Sequence, residues 1–531
     1  MSDLQVYDTT LRDGAQQEGL NLSVADKLAI AAQLDALGVG FIEGGWPGAN
    51  PKDTEFFARA ARELTLRSAT LAAFGATRRA GGHADSDPLV RALVDSHASV
   101  VTLVAKSHIG HVERALRTTG AENLAMIRDT VSFLRGEGRR VFLDAEHFFD
   151  GYRADAAYAL ECVRAAVESG AEVVALCDTN GGMLPDEVAD VVADVLGRTS
   201  ARLGIHCHND TGCAVANSMA AVAAGATHVQ GTVNGYGERT GNANLVTLVA
   251  NLQLKQGRSL VEPRQLQEAT LISHAISEVT NVPPYSRQPY VGASAFAHKA
   301  GLHASAIKVD PDLYQHMDPK DVGNDMRMLV SDMAGRASIE LKSRELGVEL
   351  DSSNADDNAT LQRVLARVKD LEARGWTFDA ADASFEMLLR RELGGVPEYF
   401  TVESWRVITD GRGEDQALSE ATVKVTAAGR RSVMTGEGNG PVNALDHALR
   451  EALKGTYPEL THLELVDYKV RILDAAHGTD AVTRVLIETS DGTTTWSTVG
   501  VAANILEASW DALIDAVTYG LLRAGAEPAQ G

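Results

Sequence analysis

The chain has 531 residues, too many for one ordinary domain: at ~150 residues per domain it implies about three or four, although an α/β barrel absorbs ~250 by itself. Its 45% hydrophobic and 23% charged composition is that of a globular protein with a sizeable core, and a net charge of −23, from 72 acidic against 49 basic residues, disfavours nucleic acid and anionic membrane surfaces as partners. No apolar run approaches the ~18 residues of a membrane span, no basic-then-apolar leader follows Met1, and Cys162, Cys177, Cys207 and Cys213 lack CxxC spacing, so the sequence reads as a cytoplasmic, multidomain enzyme with reduced thiols.

In chain order, short β-rich runs alternate with helical patterns over the first half. The predicted strands are Leu4–Thr9, Val39–Glu43, Ala69–Phe74, Ser99–Ala105, Arg140–Glu146, Glu172–Cys177, Leu203–Cys207 and Thr227–Val233. Helices such as Ala25–Leu37, Ala154–Val167 and Thr211–Ala223 lie between them, and several end at a glycine before the next strand, as at Gly38, Gly170 and Gly225. Eight such units within ~260 residues are what a closed (β/α)8 TIM barrel requires. A doubly wound open sheet is the competitor. Against it, polar residues recur at the downstream strand ends: Asp13, Glu43, Lys106, Glu146, Asp178, His206, His208 and Asn234. A barrel gathers those ends at one mouth, whereas an open sheet spreads them along a line.

Residues 1–275 are therefore expected to form a catalytic barrel. Residues 276–393 are expected to form a small, mostly helical linker region, with a break at Asn281-Val-Pro-Pro-Tyr285, a solvated polar loop at Asp351–Asn358 and a helix over Thr360–Ala373. Residues 394–531 carry an internal repeat. Ala421–Thr426, a turn at Gly429, Ser432–Gly436 and a helix over Pro441–Leu453 are echoed by Thr483–Thr489, Gly492, Thr495–Gly500 and Ala503–Leu521. This duplicated βββα pattern suggests an α+β module that binds a ligand or dimerises. Its Gly436-Glu-Gly438-Asn-Gly440 run reads equally as turns.

Three segments carry chemistry. In Gly204-Ile-His206-Cys207-His208-Asn209-Asp210, residues i and i+2 of a strand share a face, so the two imidazoles project together as half of a metal site, while Cys207 points into packing. Alone, the pair is equally two solvated residues at a strand end. In Asp8-Thr-Thr-Leu-Arg12-Asp13-Gly14-Ala-Gln16, Asp13 can ligate a cation while Arg12 polarises a substrate oxygen. In Gly235-Tyr-Gly-Glu-Arg-Thr-Gly241-Asn242-Ala-Asn244, glycines permit close backbone approach and Asn242 offers a neutral oxygen. Asp13, His206, His208 and Asn242 together form a mixed oxygen and nitrogen set suited to Mg2+ or Mn2+, with Zn2+ also compatible.

These motifs, DTTLRDGAQQ, GIHCHND and GNANL in that order, resemble the acyl-CoA-condensing Claisen enzymes, the 2-isopropylmalate, homocitrate and citramalate synthases, which share their metal-dependent barrel with hydroxymethylglutaryl-CoA lyase. The resemblance extends through Phe296–Asp318, Gly335-Arg336 and the C-terminal repeat. Within the family, Phe41-Ile-Glu43-Gly-Gly-Trp-Pro-Gly-Ala-Asn50 and Asp144-Ala-Glu146-His-Phe-Phe-Asp150 are most similar to the citramalate branch. The resemblance implies acetyl-CoA and an α-keto acid, pyruvate in that branch, as substrates. It implies Asp13, His206 and His208 as metal ligands with Asn242 beside them, Arg12 on the keto oxygen, Thr179 on the keto-acid carboxylate, and Gln16 and His111 as further substrate contacts. Glu146 and His303 are implied in proton transfer, and Tyr314 lies in a segment that in relatives reaches an active site, often across a dimer interface. It further implies a regulatory C-terminal module whose effector is a branched-chain amino acid, isoleucine or leucine, and a homodimer or larger homo-oligomer. Lys106-Ser-His108-Ile-Gly-His111 departs from the Lys-Ser-Trp-Asp-Leu-His of that branch while keeping the last histidine. The same chemistry on another keto acid, a lyase on the related barrel, and a non-catalytic amino-acid-binding regulator are the other readings. The long tail weighs against the lyase, and the intact Arg12, Asp13, His206 and His208 set against the regulator.

Overall fold

A computed structural model of the chain describes residues 4–411, 417–473 and 481–528. These form two compact units, one of residues 1–296 and 317–325, the other of residues 297–316 and 326–531.

The first unit is built on a closed parallel barrel of eight strands: β1 (Gln5–Asp8), β2 (Phe41–Gly45), β3 (Thr70–Ala76), β4 (Val100–Lys106), β5 (Arg140–Glu146), β6 (Val173–Asp178), β7 (Leu203–Cys207) and β8 (His228–Gly231). β1 pairs with both β2 and β8, with Tyr7 opposite Phe41 on one side and Gln230 on the other, so the sheet has no edge. The eight strands lie within two residues of their predicted positions, and the open-sheet alternative falls. The first inter-strand helix, Val24–Leu37, starts at a Ser23–Asp26 capping box and ends at Gly38, whose φ of 88° is the left-handed conformation that favours glycine. The helix expected over Ala154–Val167 is found at Ala156–Glu168, where the Asp155 side chain starts it by accepting from Tyr158 N, and a separate helix, Phe148–Ala154, precedes it.

Strand alternation layers the barrel interior. Tyr7, Phe41, Ala72, Val100, Phe142 and Val173 form a buried cluster, with the Phe41 and Phe142 rings 5.2 Å apart edge to face and His228 5.2 Å from Tyr7. Two residues further along the same strands stand Glu43, Asp144, His206 and Gln230, and two further still Glu146 and His208. Gly204 makes the lower layer possible: a Cβ there would lie 2.7 Å from His228 Cδ2.

In the second unit, two-residue strands β9 (Ala297–His298) and β10 (Arg327–Met328) pair in parallel. They accompany the helices Gly301–Val309, Arg336–Glu345, Ala355–Ala373 and Asp382–Glu392. The helix expected from Thr360 begins at Ala355, inside the stretch expected to be a loop. Asn354 caps it by accepting from Asp356 N and Asp357 N, and the two aspartates complement the positive helix end.

Beyond Gly394 two antiparallel sheets follow. β11 (Thr401–Asp410), β12 (Leu418–Ala427) and β13 (Arg430–Gly438) precede the helix Pro441–Leu453; β14 (Glu464–Ile472), β15 (Thr483–Ser490) and β16 (Thr495–Ala502) precede the helix Ile505–Arg523. Gly436 pairs with Ala421 and Gly500 with Val485. A Cβ on Gly436 would lie 2.4 Å from Ala448 N, and one on Gly500 1.9 Å from Ala508 O. Gly436 and Gly438 are thus strand residues pressed against a helix rather than turn residues. The helix Asp382–Glu392 belongs to two cores: Phe385, Leu388 and Leu389 pack with Val330, Ile339 and Val364, whereas Ala383 and Met387 pack with Val485, Leu513 and Val517.

Phe142 is 1% exposed in the layer beneath the polar residues. Phe142→Ala should cost about 3–5 kcal/mol, read as an earlier first transition in urea; an unmoved midpoint would show that the barrel interior is not close-packed there.

Candidate active site

The downstream strand ends enclose a cavity of about 280 Å³, lined among others by Arg12, Asp13, Glu146, Thr179, His206 and His208, with Trp46, Phe74 and Val104 as its apolar wall. Arg12 follows β1 and is 14% exposed. Its Nε donates to Glu43 Oε2 at 2.6 Å, its Nη1 to Asp13 Oδ2 at 2.6 Å, its Nη2 lies 4.0 Å from Asp144 Oδ2, and its guanidinium stands 3.8 Å over the Phe74 ring. Glu43 in turn accepts from Tyr7 OH at 2.9 Å. Burial, followed by the charge of Glu43, pushes Asp144 up to about 7, and burial likewise raises Glu43. Burial alone would raise Asp13 too, but Arg12 and the two imidazoles outweigh it and hold that carboxyl well below the ordinary range.

Asp13, His206 and His208 converge. His206 Nε2 is 3.4 Å from His208 Nε2 and 3.9 Å from Asp13 Oδ2, and His208 Nε2 is 4.0 Å from Asp13 Oδ1. Burial lowers the pKa of His206, and burial with the neighbouring His206 lowers that of His208 to about 4, so both rings are neutral near pH 7, the form that ligates metal. His206 Nδ1–H donates to Gln230 Oε1 at 2.9 Å, leaving its Nε2 lone pair toward the group. Asn242 Nδ2 donates to Asp13 Oδ1 at 2.9 Å, and Asn242 Oδ1 and His208 Nδ1 are buried without a hydrogen-bond partner among the described residues. A carboxylate, two neutral imidazoles and an amide on one buried wall fit a divalent cation.

The other predicted residues take several places. Thr179 Oγ1 accepts from His147 N at 2.9 Å, which leaves its hydroxyl proton for a ligand. Glu146 pairs with Lys106 on the cavity wall, and Gln16 is exposed at the rim. His111 sits outside the cavity lining, its ring 4.2 Å from His147 and 4.6 Å from His108. His303 and Tyr314 belong to the second unit, where their rings stack 4.1 Å apart. Four of the polar strand-end residues do not line the cavity: Glu43 and Lys106 contact the lining residues Arg12 and Glu146 from outside it, and Asp178 and Asn234 are engaged elsewhere. The Asp178 carboxylate caps a turn by accepting from Gly182 N and Met183 N, and Asn234 is tied to Ser273 and Ser277. Asp144, Gln230 and Trp46 were not singled out in the sequence. The one available signal was parity, since Asp144 lies two residues before Glu146 on the same strand.

A second cavity of about 370 Å³ adjoins the first, sharing Trp46, Val104 and Glu146 and adding Arg78, Arg79 and Lys106. A third, of about 700 Å³, lies in the duplicated module between the start of the helix Pro441–Leu453 (Val442, Asn443, His447), β14 (Leu465, Tyr468) and Ile505. No helix among the described residues is long and apolar enough to cross a membrane.

Comparison with known proteins places this geometry. The HMGL-like family model matches residues 3–275, the model "Homocitrate synthase post-HMGL domain-like" matches 290–375, and the LeuA allosteric (dimerisation) domain matches 379–521. An (R)-citramalate synthase of Streptomyces coelicolor is 66% identical over 526 residues, 99% of this chain and 98% of the relative. The chain belongs to the (R)-citramalate synthase family. Further members are those of Synechocystis, 49% identical over 98% of this chain and 96% of the relative, and Aquifex aeolicus, 47% identical over 98% of each. A probable 2-isopropylmalate synthase of Methanopyrus kandleri, at 34% identity over 97% of each chain, stands further off.

Below the group, His228 is fully buried, and burial, then the charge of Arg202, lowers its pKa to about 3. A neutral ring that gains a proton only on unfolding makes the unfolded state the greater proton binder between about pH 6.5 and 3. Stability is therefore lost as pH falls through that window. In His228→Asn the slope of Tm against pH between 6.5 and 4 should flatten; an unchanged slope would remove His228 from the acid limb.

Proposed function

We propose that this protein condenses acetyl-CoA with pyruvate and hydrolyses the resulting thioester, giving citramalate and CoA. The observation that carries the reading is the buried group of Arg12, Asp13, His206 and His208 in one cavity, in a chain of this family. Asp13, His206 and His208 would hold a divalent cation, Mg2+ or Mn2+ with Zn2+ also compatible, and Asn242 orients Asp13. The cation would act as a Lewis acid on the keto carbonyl. Arg12 holds the keto oxygen and Thr179 the carboxylate, with Gln16 at the rim and His111 against the His147 ring, outside the lining. The Trp46, Phe74 and Val104 wall suits a methyl group. Glu146 and His303, the latter stacked on Tyr314, handle the proton removed from the acetyl methyl group. The enolate carbon attacks the keto carbon, a proton reaches the new alkoxide, and water then cleaves the thioester to release CoA. Arg79 and Lys106 in the adjoining cavity suit the anionic CoA arm.

In this reading residues 1–275 are catalytic, 276–393 supply His303 and Tyr314, and 394–531 regulate. Exposed Leu302, Val309 and Leu313 around His303 support docking of that segment on a second copy, in a homodimer or larger assembly. The 700 Å³ cavity, lined by Val442, Leu465 and Ile505 together with polar Asn443, Asp446 and Arg450, suits a branched-chain amino acid as feedback effector, isoleucine for this product, with leucine as the comparison.

Thiol release from acetyl-CoA should occur with pyruvate and not with 2-oxoisovalerate or 2-oxoglutarate, and EDTA should abolish it. His206→Ala should lower it by more than roughly 100-fold, exceeding the 10–100-fold typical of an outer-sphere partner, with an unchanged circular dichroism spectrum. No release with any keto acid under any divalent metal would sink the synthase reading. Isoleucine should inhibit, and Val442→Phe, which fills the cavity, should weaken inhibition roughly tenfold, about 1.4 kcal/mol, without moving the pyruvate KM. An unaltered inhibition curve would place the effector elsewhere.

A further inference from the structure

Gln230 lies on β8 at 0% exposure, in a His-Val-Gln-Gly stretch that no motif marks. Its one amide reaches three partners. Oε1 accepts from His206 Nδ1 at 2.9 Å, while Nε2 donates to Asp144 Oδ1 at 2.8 Å and lies 3.4 Å from His228 Nε2. His228 Nδ1 donates to Gln5 Oε1 at 3.2 Å, so its Nε2 is an acceptor and fixes which end of the Gln230 amide carries hydrogen.

We propose that Gln230 is a positioning residue that couples the metal-binding group to the Arg12 cradle, holding His206 and Asp144 with the two ends of one planar amide. The inference rests on the condensation reading above. Because the amide oxygen can only accept, the His206 proton must sit on Nδ1, and the Nε2 lone pair must face Asp13 and His208. Because the amide nitrogen can only donate, Asp144 gives it one oxygen and keeps the other, Oδ2, toward Arg12 Nη2 at 4.0 Å. A rotation of the amide that spoils one contact therefore spoils the other. Outer partners of metal-bound histidines act in this way, by fixing tautomer and ring orientation. Here the same side chain also sets the carboxylate that faces the guanidinium.

Two readouts separate this role from mere packing: Mn2+ binding to chelator-treated protein, followed by electron paramagnetic resonance, and the KM values for pyruvate and acetyl-CoA. Gln230→Met, of similar volume with neither function, should weaken Mn2+ binding roughly 10–100-fold and raise the pyruvate KM while leaving the acetyl-CoA KM in place. Asp144→Asn, which removes the charge opposite Arg12 but still accepts from Gln230, should raise the pyruvate KM with Mn2+ affinity unchanged. In the double variant the Mn2+ loss should persist in full, and the two pyruvate effects should be less than additive. Gln230→Asn, which keeps an amide too short to span both partners, gives the same readouts if Gln230→Met does not fold. A folded Gln230 variant with Mn2+ affinity and pyruvate KM within about twofold of the parent would overturn the proposal, as would fully additive pyruvate effects. Absence of thiol release in the parent protein would instead sink the condensation reading, and the Mn2+ titration would still decide whether Gln230 orients His206.

Discussion

One guanidinium sets the electrostatics of the barrel mouth. Arg12 is nearly buried, and a buried cation must be paired or its lost hydration costs several kcal/mol. Glu43, Asp13 and Asp144 surround it, so one positive charge faces three acids. The excess is relieved unevenly. Burial moves Asp144 up to about 7 and raises Glu43, which also accepts from Tyr7, while Asp13 stays ionised beside Arg12 and two imidazoles. Those imidazoles are neutral, so they add lone pairs rather than charge. A surplus of acid beside two neutral imidazoles is the charge situation that a divalent cation relieves. The global charge of −23 says nothing about this. An anionic keto acid is held by a few local positive groups against the field of the whole chain.

That cluster is placed by strand parity. Phe41 and Glu43, Phe142 and Asp144, Gly204 and His206, His228 and Gln230 are pairs two residues apart on four strands, so one apolar layer lies under one polar layer. The lower layer excludes water from beneath the charges, which strengthens every interaction above it. It also explains a glycine at 204 in an otherwise bulky strand, since the His228 ring occupies the space a side chain there would take. Packing in the barrel floor and chemistry at its mouth are consequences of the same alternation.

The parts legible in the sequence are those whose physics is local. Buried parallel strands are largely apolar runs, plainest in β4 and β6, while polar residues interrupt β1 and β8. His206 and His208 share a face by spacing alone, and Arg12 and Asp13 are adjacent. Gln230 and Asp144 are not legible, because their meaning lies in partners 24 and 86 residues from Gln230, and in isolation each is one polar residue inside a strand. Asp178 and Asn234 mislead for the complementary reason. Polar side chains at strand ends serve loop turns as often as ligands, and only the chain's path distinguishes the two. β11 and β14 escaped location because they are mostly exposed along their length. The start of the helix at Ala355 was hidden by Asp356 and Asp357, residues that favour loops and helix starts alike.

The duplicated module carries its own constraint. Each half lays a helix across a three-stranded sheet, and each needs a glycine where the helix crosses, Gly436 in one and Gly500 in the other. The halves are not alike in their attachments. The helix Asp382–Glu392 is tied to the second: Ser384 Oγ accepts from Val499 N, Arg391 pairs with Asp515 at 2.5 Å, and Tyr519 OH donates to Glu386 at 2.8 Å. Its opposite face, through Phe385, Leu388 and Leu389, is core for the preceding helices. Any tilt of this helix that preserved one core would open the other, because close-packed interiors do not deform continuously. The border between the connecting segment and the module therefore runs between two faces of one helix rather than between two residues of the chain, and hydrogen bonds and an ion pair bind the second half of the duplication to that helix.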